Sequence, residues 1–332
     1  MPKTRVVFLD AGTVDWKDLP LRAFQTTSQF KSYHSTNPGQ VVKRATGFTH
    51  VITNKVILNR ESIKALRGVK AIHVAATGVN NVDLNAAREC GIAVTNVRGY
   101  STESVVQLTF TLLLALSSRL PDYQKVVGRG DWSKQPFFSL TSLPFFELSG
   151  KTIGIIGFGN IGKRVAQVAE NFGMKVLIAR LPGKKYAARE NKGRVSLADL
   201  LRKSDAVTIH APLSEITRNL ISEKELALMK KTALLINMAR GGIVNEEALA
   251  KVLRKKQIAG AASDVLVQEP PPRGHVLYNA PGFILTPHIA WASFEARKRL
   301  VEEVLKNIQS FEKGVPYRSG SASNRLGRNR LV

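Results

Sequence analysis

The sequence predicts an α/β protein made of two doubly wound parallel-sheet domains, and three observations predict it. Short apolar runs alternate with helix-length amphipathic stretches almost from end to end. The runs fall into two series, one before residue 101 and one from residue 151, and the second series opens on a glycine-rich turn. Within a series the runs recur at a spacing of about 20–30 residues, the length of a strand plus the crossover helix that a parallel neighbour requires.

Taken in order, VVFLD, HVITN, AIHVAATG and GIAVTN read as strands of the first domain. Ser101 to Leu120, STESVVQLTFTLLLALSSRL, reads as one helix. Its most apolar run, FTLLLALSS, is about nine residues against the roughly 20 needed to span a bilayer, so it is expected to be a buried helix segment and not a membrane anchor. Residues 121–150 read as an irregular arm with Trp132, Phe137, Phe138, Phe145 and Phe146. Such a stretch is long for a loop and too apolar to be left in water, which points to packing on a second subunit and hence a homodimer. The second series is KTIGIIGFG, KVLIAR, DAVTIHAP, TALLINMARGG, IAGAASDV and GFILTPH. After His288 a last helix follows, with Leu300, Val301, Val304, Leu305, Ile308 and Phe311 at helical spacing and Gly314 closing it. Residues 315–332 place Arg318, Arg325, Arg328 and Arg330 among Gly, Ser and Asn with no apolar period, the composition of a disordered basic tail.

Composition removes several function classes. A hydrophobic content of 44% argues against disorder, and a single cysteine, Cys90, cannot build a disulfide scaffold and suits a reducing, cytoplasmic setting. The first residues, MPKTRVVFLD, lack the apolar core of a signal peptide. The chain carries 49 Lys and Arg against 25 Asp and Glu, a net charge of +24. That charge makes nucleic acid a conceivable partner, but the bases are spread along the chain and the reading is not favoured.

The chemistry concentrates in the second series. GFGNIG at Gly157–Gly162 follows a strand and opens a helix, the context in which such glycines bind a dinucleotide. Gly157 permits the tight turn, Gly159 lets backbone approach a pyrophosphate, and Gly162 permits close helix–sheet packing, with a helix N-terminus facing the negative charge. The next strand, KVLIAR, ends in Arg180 where a NAD-binding unit usually carries an acid for the ribose hydroxyls, and Lys184 and Lys185 follow. Arg can pair with a 2′-phosphate, so the sequence leans toward NADP and leaves NAD open.

Three polar residues stand at or just past later strands, where ligands gather in open α/β sheets: Arg240 in NMARGGIVNE, Glu269 in SDVLVQEPPP and His288 in LTPHIAWAS. Hydride transfer to a 2-keto acid needs a cation for the carboxylate, a proton donor for the carbonyl oxygen and a group to orient and charge that donor. Arg240, His288 and Glu269 meet those needs in turn, with no metal. The remaining histidines, His34, His50, His73, His210 and His275, lack such a setting and read as structural.

At these residues the chain resembles the D-isomer-specific 2-hydroxyacid dehydrogenases, from Val6 to about Gly314. AATGVNNVDL, GIAVTN, KTIGIIGFGNIG, LLINMARGGIVNEEAL, GAASDV, EPPP and TPHIAWAS fall in that family's order. AATGVNNVDL, GYST, HIAWAS and EPPP look most like its glycerate dehydrogenase, or hydroxypyruvate reductase, branch. The resemblance implies a Rossmann nucleotide-binding domain, residues 101–288 with the arm as dimer contact, inserted in a flavodoxin-like substrate domain of residues 1–100 and 289–314. It implies substrate carboxylate at the backbone of Gly78 and Val79, phosphates at Asn160, Ile161 and the other glycine-loop amides, and adenosine beside His210, Ala211 and Pro212. It also puts Met238 beside the nicotinamide ring and Asp264 at its carboxamide, with His288 near both cofactor and substrate. Four positions depart from the usual pattern: Leu108, where His is common; Arg98, where a small residue is; Arg180; and Asn245, where Asp is frequent. The expectation is an NAD(P)H-dependent reductase of hydroxypyruvate and glyoxylate. The alternative is a dehydrogenase-fold regulator that senses a nucleotide or uses its basic surface on nucleic acid.

Overall fold

The computed structural model of the chain describes residues 4–315. Two compact units emerge. One takes the chain up to Ser101 and again from Trp291, and the other, Thr102–Ala290, is inserted between those two pieces.

In the outer unit, β1 (Thr4–Phe8), β2 (Ser28–Ser32), β3 (His50–Thr53), β4 (Ala71–Val74) and β5 (Ala93–Asn96) form a wholly parallel sheet in the order β2-β1-β3-β4-β5. That order is the flavodoxin-like one. Crossovers run through α1 (Ala23–Thr27), α2 (Val41–Ala45), α3 (Arg60–Ala65) and α4 (Leu84–Glu89), and the helix from the far end of the chain, Phe294–Glu312, is α12. Successive side chains of β1 face opposite ways. Val7 packs with Val51, Ile72 and Ile63 on one face, and Val6 and Phe8 pack with Phe24, Leu300 and Val304 of α12 on the other. Ser293 caps α12 by accepting the Ala296 amide, and Gly314, at φ +64°, stands just past its end.

The inserted unit holds β6 (Thr152–Ile156), β7 (Lys175–Arg180), β8 (Arg194–Ser196), β9 (Ala206–Ile209), β10 (Leu234–Asn237), β11 (Gly260–Ser263) and β12 (Phe283–Leu285). All pair in parallel, in the order β12-β11-β10-β9-β6-β7-β8. Counted from β6 this is 7-6-5-4-1-2-3, the Rossmann order with one further strand, and its switch point lies between β6 and β9. Its helices are α5 (Thr102–Ser117), α6 (Leu120–Gly128), α7 (Asn160–Asn171), α8 (Ala188–Asn191), α9 (Leu197–Lys203), α10 (Glu223–Leu226) and α11 (Glu246–Arg254). α5 and α7 share the core on one sheet face with Ile153, Ile155 and Ile236, while α9 and α11 cover the other with Ile156, Val207 and Leu235.

The helix expected over Ser101–Leu120 is α5, which ends at Ser117, and a second helix, α6, follows in the stretch expected to be irregular, after a 58° bend at Arg119, whose φ is +55°. Pro121 is the cause: it has no amide hydrogen, and its ring would meet the carbonyl four residues back if α5 continued. The arm is therefore helical at its start, and Phe146 packs partly buried on the α5 side of the core. Phe137 and Phe138 remain open, Phe138 at 92% exposure. Among the described residues no single helix is long and apolar enough to cross a membrane. The basic tail expected over 315–332 lies, apart from Val315, outside the described residues.

His50 and His73 are fully buried, on β3 and β4. His50 Nε2 donates to Glu312 at 2.7 Å, which leaves its Nδ1 to accept from His73 Nε2 at 2.9 Å, and His73 Nδ1 to accept from the Thr95 hydroxyl at 2.8 Å. Burial holds both imidazoles below their ordinary proton affinity, His73 more strongly, with His50 adding to the effect on it. They tie α12 to the sheet, in keeping with the structural role expected of them.

Candidate active site in the inserted unit

β6 delivers the glycine turn to the switch point, and each glycine has a distinct steric reason. Gly157 has φ +98°, and a Cβ there would meet the Ala211 backbone. A Cβ on Gly162 would strike the Gly157 carbonyl. Gly159 has nothing within 4 Å, so the space in front of it is open. It is the N-cap of α7, and no side chain caps that end. The first-turn amides at Asn160 and Ile161 are thus left for an acceptor outside the helix, as a pyrophosphate requires.

His210 and Ala211 follow β9 against this turn, the His210 amide donating to the Ile156 carbonyl at 2.7 Å. Thr208 meets His210 Nε2 at 2.9 Å, whereas the buried Nδ1 has no partner among the described residues. Part of His210 reaches solvent but its Nδ1 does not, and burial pushes the imidazole down to about 3. Pro212 is exposed beside it. Open space at Gly159, uncapped amides and an orphaned ring nitrogen all fit a dinucleotide along this edge.

Arg180 ends β7 and is exposed, its Nη2 donating to the Arg194 carbonyl at 3.3 Å. Arg194, on β8, escaped the sequence reading because a three-residue edge strand has too few residues to show a pattern. Its guanidinium donates to the Ala179 carbonyl at 2.9 Å and the Glu190 carbonyl at 2.6 Å. It lies 4.7 Å from the Tyr186 ring and 5.8 Å from that of Phe158 in the glycine turn. Lys184 approaches Tyr186 from 5.1 Å. From Arg180 to Lys185 the sequence carries no carboxylate, and Arg180, Lys184 and Lys185 make that stretch cationic.

β10, β11 and β12 are neighbours in the sheet, and Arg240, Glu269 and His288 each lie past the C-terminal end of one of them. Asn237, the last residue of β10, shapes the Arg240 turn: its Nδ2 donates to the Arg240 carbonyl at 3.0 Å and its Oδ1 accepts the Ala239 amide at 3.1 Å. Met238, buried at 6%, donates its amide to Ile209. Gly241 abuts the Leu266–Val267 backbone so closely that a Cβ has no room. Arg240 is exposed, with Nη1 donating to the Ala239 carbonyl at 2.7 Å. Glu269 and His288 meet directly, Oε2 to Nδ1 at 2.6 Å, while Glu269 Oε1 accepts the Leu266 amide at 2.8 Å. With Nδ1 so occupied, Nε2 is the nitrogen left to face a substrate, and it has no partner among the described residues.

His288 holds φ +55°, a conformation that costs a non-glycine residue about 1–2 kcal/mol. Asp264, assigned by resemblance to a carboxamide, explains how that conformation is held. Only 2% exposed, it accepts the Thr286 hydroxyl at 2.6 Å and the Ile289 amide at 2.9 Å on Oδ1, and the Ala290 amide at 2.8 Å on Oδ2. Burial raises its proton affinity, and these bonds and the His288 charge pull it back. Asn245 has its reason as well: it caps α11 by accepting the Ala248 amide, a task Asp and Asn do equally. Leu108 is a partly buried residue of the α5 core, and nothing in the structure explains Arg98, which is exposed beyond β5. Gly78 and Val79 belong to the outer unit, in the loop from β4 to α4, where Asn81 ties that loop to the Val56 carbonyl at 3.0 Å.

Residues 110–290 match the family model "D-isomer specific 2-hydroxyacid dehydrogenase, NAD binding domain". The chain is 40% identical over 315 residues to the glycerate dehydrogenase of Methylorubrum extorquens, covering 94% of this chain and 97% of that one. It is 35% identical to the hydroxypyruvate reductase of Blautia hydrogenotrophica, over 93% and 95% of the two chains. In three dimensions it is similar to D-lactate dehydrogenase from Aquifex aeolicus complexed with NAD and lactic acid, at TM-score 0.76 and 29% identity, over 93% and 96% of the chains. The chain belongs to the D-isomer specific 2-hydroxyacid dehydrogenase family and is an NAD(P)-dependent oxidoreductase of 2-hydroxy acids.

Proposed function

We propose that this enzyme reduces hydroxypyruvate, and glyoxylate as a smaller substrate, to the D-2-hydroxy acid, with NADPH preferred over NADH. The observation that carries the reading is the 2.6 Å pair of Glu269 and His288 at the carboxyl edge of a Rossmann sheet. The reduced nicotinamide, when bound, supplies a hydride to C2 of the keto acid. His288 Nε2 gives the proton that the carbonyl oxygen takes up in the same step, and the imidazole is left neutral. Glu269 holds the ring by Nδ1 and balances the positive charge it carries before transfer. Arg240 presents a planar fork to the substrate carboxylate and carbonyl, drawing charge toward the oxygen that gains it. We assign the substrate role to the outer unit, which carries Gly78 and Val79, and the nucleotide role to the inserted unit.

The preference for NADPH rests on Arg180 and the cationic edge it shares with Lys184, Lys185 and Arg194. The glycerate and hydroxypyruvate names of the relatives support the substrate. A homodimer follows from the arm: the open faces of Trp132, Phe137, Phe138 and Phe145 form an apolar set that a second copy would cover. The test is His288→Ala: turnover falls by about a thousandfold while dinucleotide affinity stays near that of the parent. A rate close to the parent's removes His288 as proton donor.

A further inference from the structure

Glu269 is carried by the long loop between β11 and β12, so its aim at His288 depends on what holds that loop. Its own Oε1 reaches back to the Leu266 amide, which makes the Leu266–Val267 backbone the platform for the carboxylate. That backbone is held from α11. Glu246, in the first turn of α11, accepts the Val267 amide on Oε1 at 2.7 Å and pairs through Oε2 with His275 Nε2 at 3.0 Å. The two side chains are 15% and 10% exposed. His275 Nδ1 accepts the Leu277 amide at 3.4 Å, so Nε2 carries the hydrogen and donates to Glu246. At the other end of the helix Arg254 Nη2 donates to the Val276 carbonyl at 2.8 Å. One carboxylate on a helix thus ties both legs of the loop, two residues before Glu269 and six after it.

From this geometry, and resting on the hydride-transfer reading above, we propose that Glu246, backed by His275, is a positioning residue that sets Glu269 against His288. Glu246→Gln keeps the shape of the side chain but cannot accept on both arms. His275→Phe keeps a ring against Tyr278 and removes the donor to Glu246 together with the long bond from the Leu277 amide, and serves where the first variant folds poorly. The experiment compares these with Glu269→Gln and the double variant Glu246→Gln/Glu269→Gln in the full chain, reading kcat and KM for hydroxypyruvate, dinucleotide Kd and amide hydrogen exchange over 264–276. Glu246→Gln is expected to lower kcat about tenfold, with KM and dinucleotide Kd within about twofold and faster exchange confined to that loop. His275→Phe should lose about threefold, since the Val267 bond survives. Added to Glu269→Gln, Glu246→Gln should take nothing further, because two groups acting through one step are not additive. Losses that multiply, or unchanged exchange, would overturn the proposal. If the parent turns over no 2-keto acid, the hydride-transfer reading fails and exchange alone decides: acceleration confined to 264–276 keeps Glu246 as the loop's clamp, and its absence removes it.

Discussion

Replacing Asp264 by Asn separates holding His288 from holding the fold. The aspartate takes three donors: the Thr286 hydroxyl and Ile289 amide on one oxygen and the Ala290 amide on the other. The asparagine keeps more bonds with its oxygen toward Thr286 and Ile289, so its NH2 must face the Ala290 amide. One bond is lost and a buried N–H is orphaned, which costs about 1–3 kcal/mol. Against this, burial disfavours the charged form of Asp264 in the native protein, and a neutral amide relieves that. The net loss should therefore stay at the low end. In a unit of this size, at about 2–4 °C per kcal/mol, Tm should fall by about 2–6 °C. Activity responds differently. With Ala290 released, the backbone strain of about 1–2 kcal/mol at His288 drives the residue toward negative φ, swinging the imidazole off its line with Glu269. A displacement of about 1 Å at a reacting group is worth about a hundredfold. The assay pairs kcat with thermal unfolding. A kcat near the parent's alongside the small Tm change would refute the claim that Asp264 holds His288 in its working conformation.

Other expectations reach the rest of the molecule. His50, His73 and His210 are all held neutral by burial, His210 down to about 3. Above pH 6.5 they make no difference, but below it the unfolded chain takes up protons that the native protein does not, so stability falls with pH. His210 should contribute about 1 kcal/mol of loss between pH 6.5 and 5.5, and His50 and His73 should add loss in the same direction, visible as a falling urea midpoint. A flat midpoint over that range would contradict it. If the arm forms the proposed homodimer, Phe138→Asp, at its most open aromatic, should give a monomer in light scattering where the parent gives a dimer. An unaltered mass would move the interface elsewhere.

Much of this was legible in the sequence because it rests on local rules. The two series of apolar runs are buried on both faces of parallel sheets, so strands such as Val51–Ile52 and Leu234–Ile236 show as continuous runs. The glycine turn is read directly, since the steric need at Gly157 and Gly162 admits no side chain. Strands β2 and β8 were not legible: SQFKS and RVS lie at sheet edges and carry too little apolar pattern. The break at Arg119 was legible in principle from Pro121, but the apolar period of α5 runs on to Leu120 and hides it. In the site, Arg240, Glu269 and His288 stand out by type and place, whereas Asn237, Arg194, Glu246 and the loop-holding work of Asp264 do not. Those residues act through backbone amides and carbonyls distant in sequence, which no spacing rule reveals.

The most direct test of hydride transfer to a 2-keto acid is the initial rate of NADPH and NADH oxidation at about 340 nm with hydroxypyruvate, glyoxylate and pyruvate, for the parent and for Arg180→Asp. The account predicts turnover with hydroxypyruvate above glyoxylate and pyruvate, NADPH ahead of NADH in the parent, and that order reversed by the substitution. An unmoved cofactor ratio would strip Arg180 of its role, and a folded protein that binds dinucleotide yet oxidises it with none of the three acids would contradict the central claim.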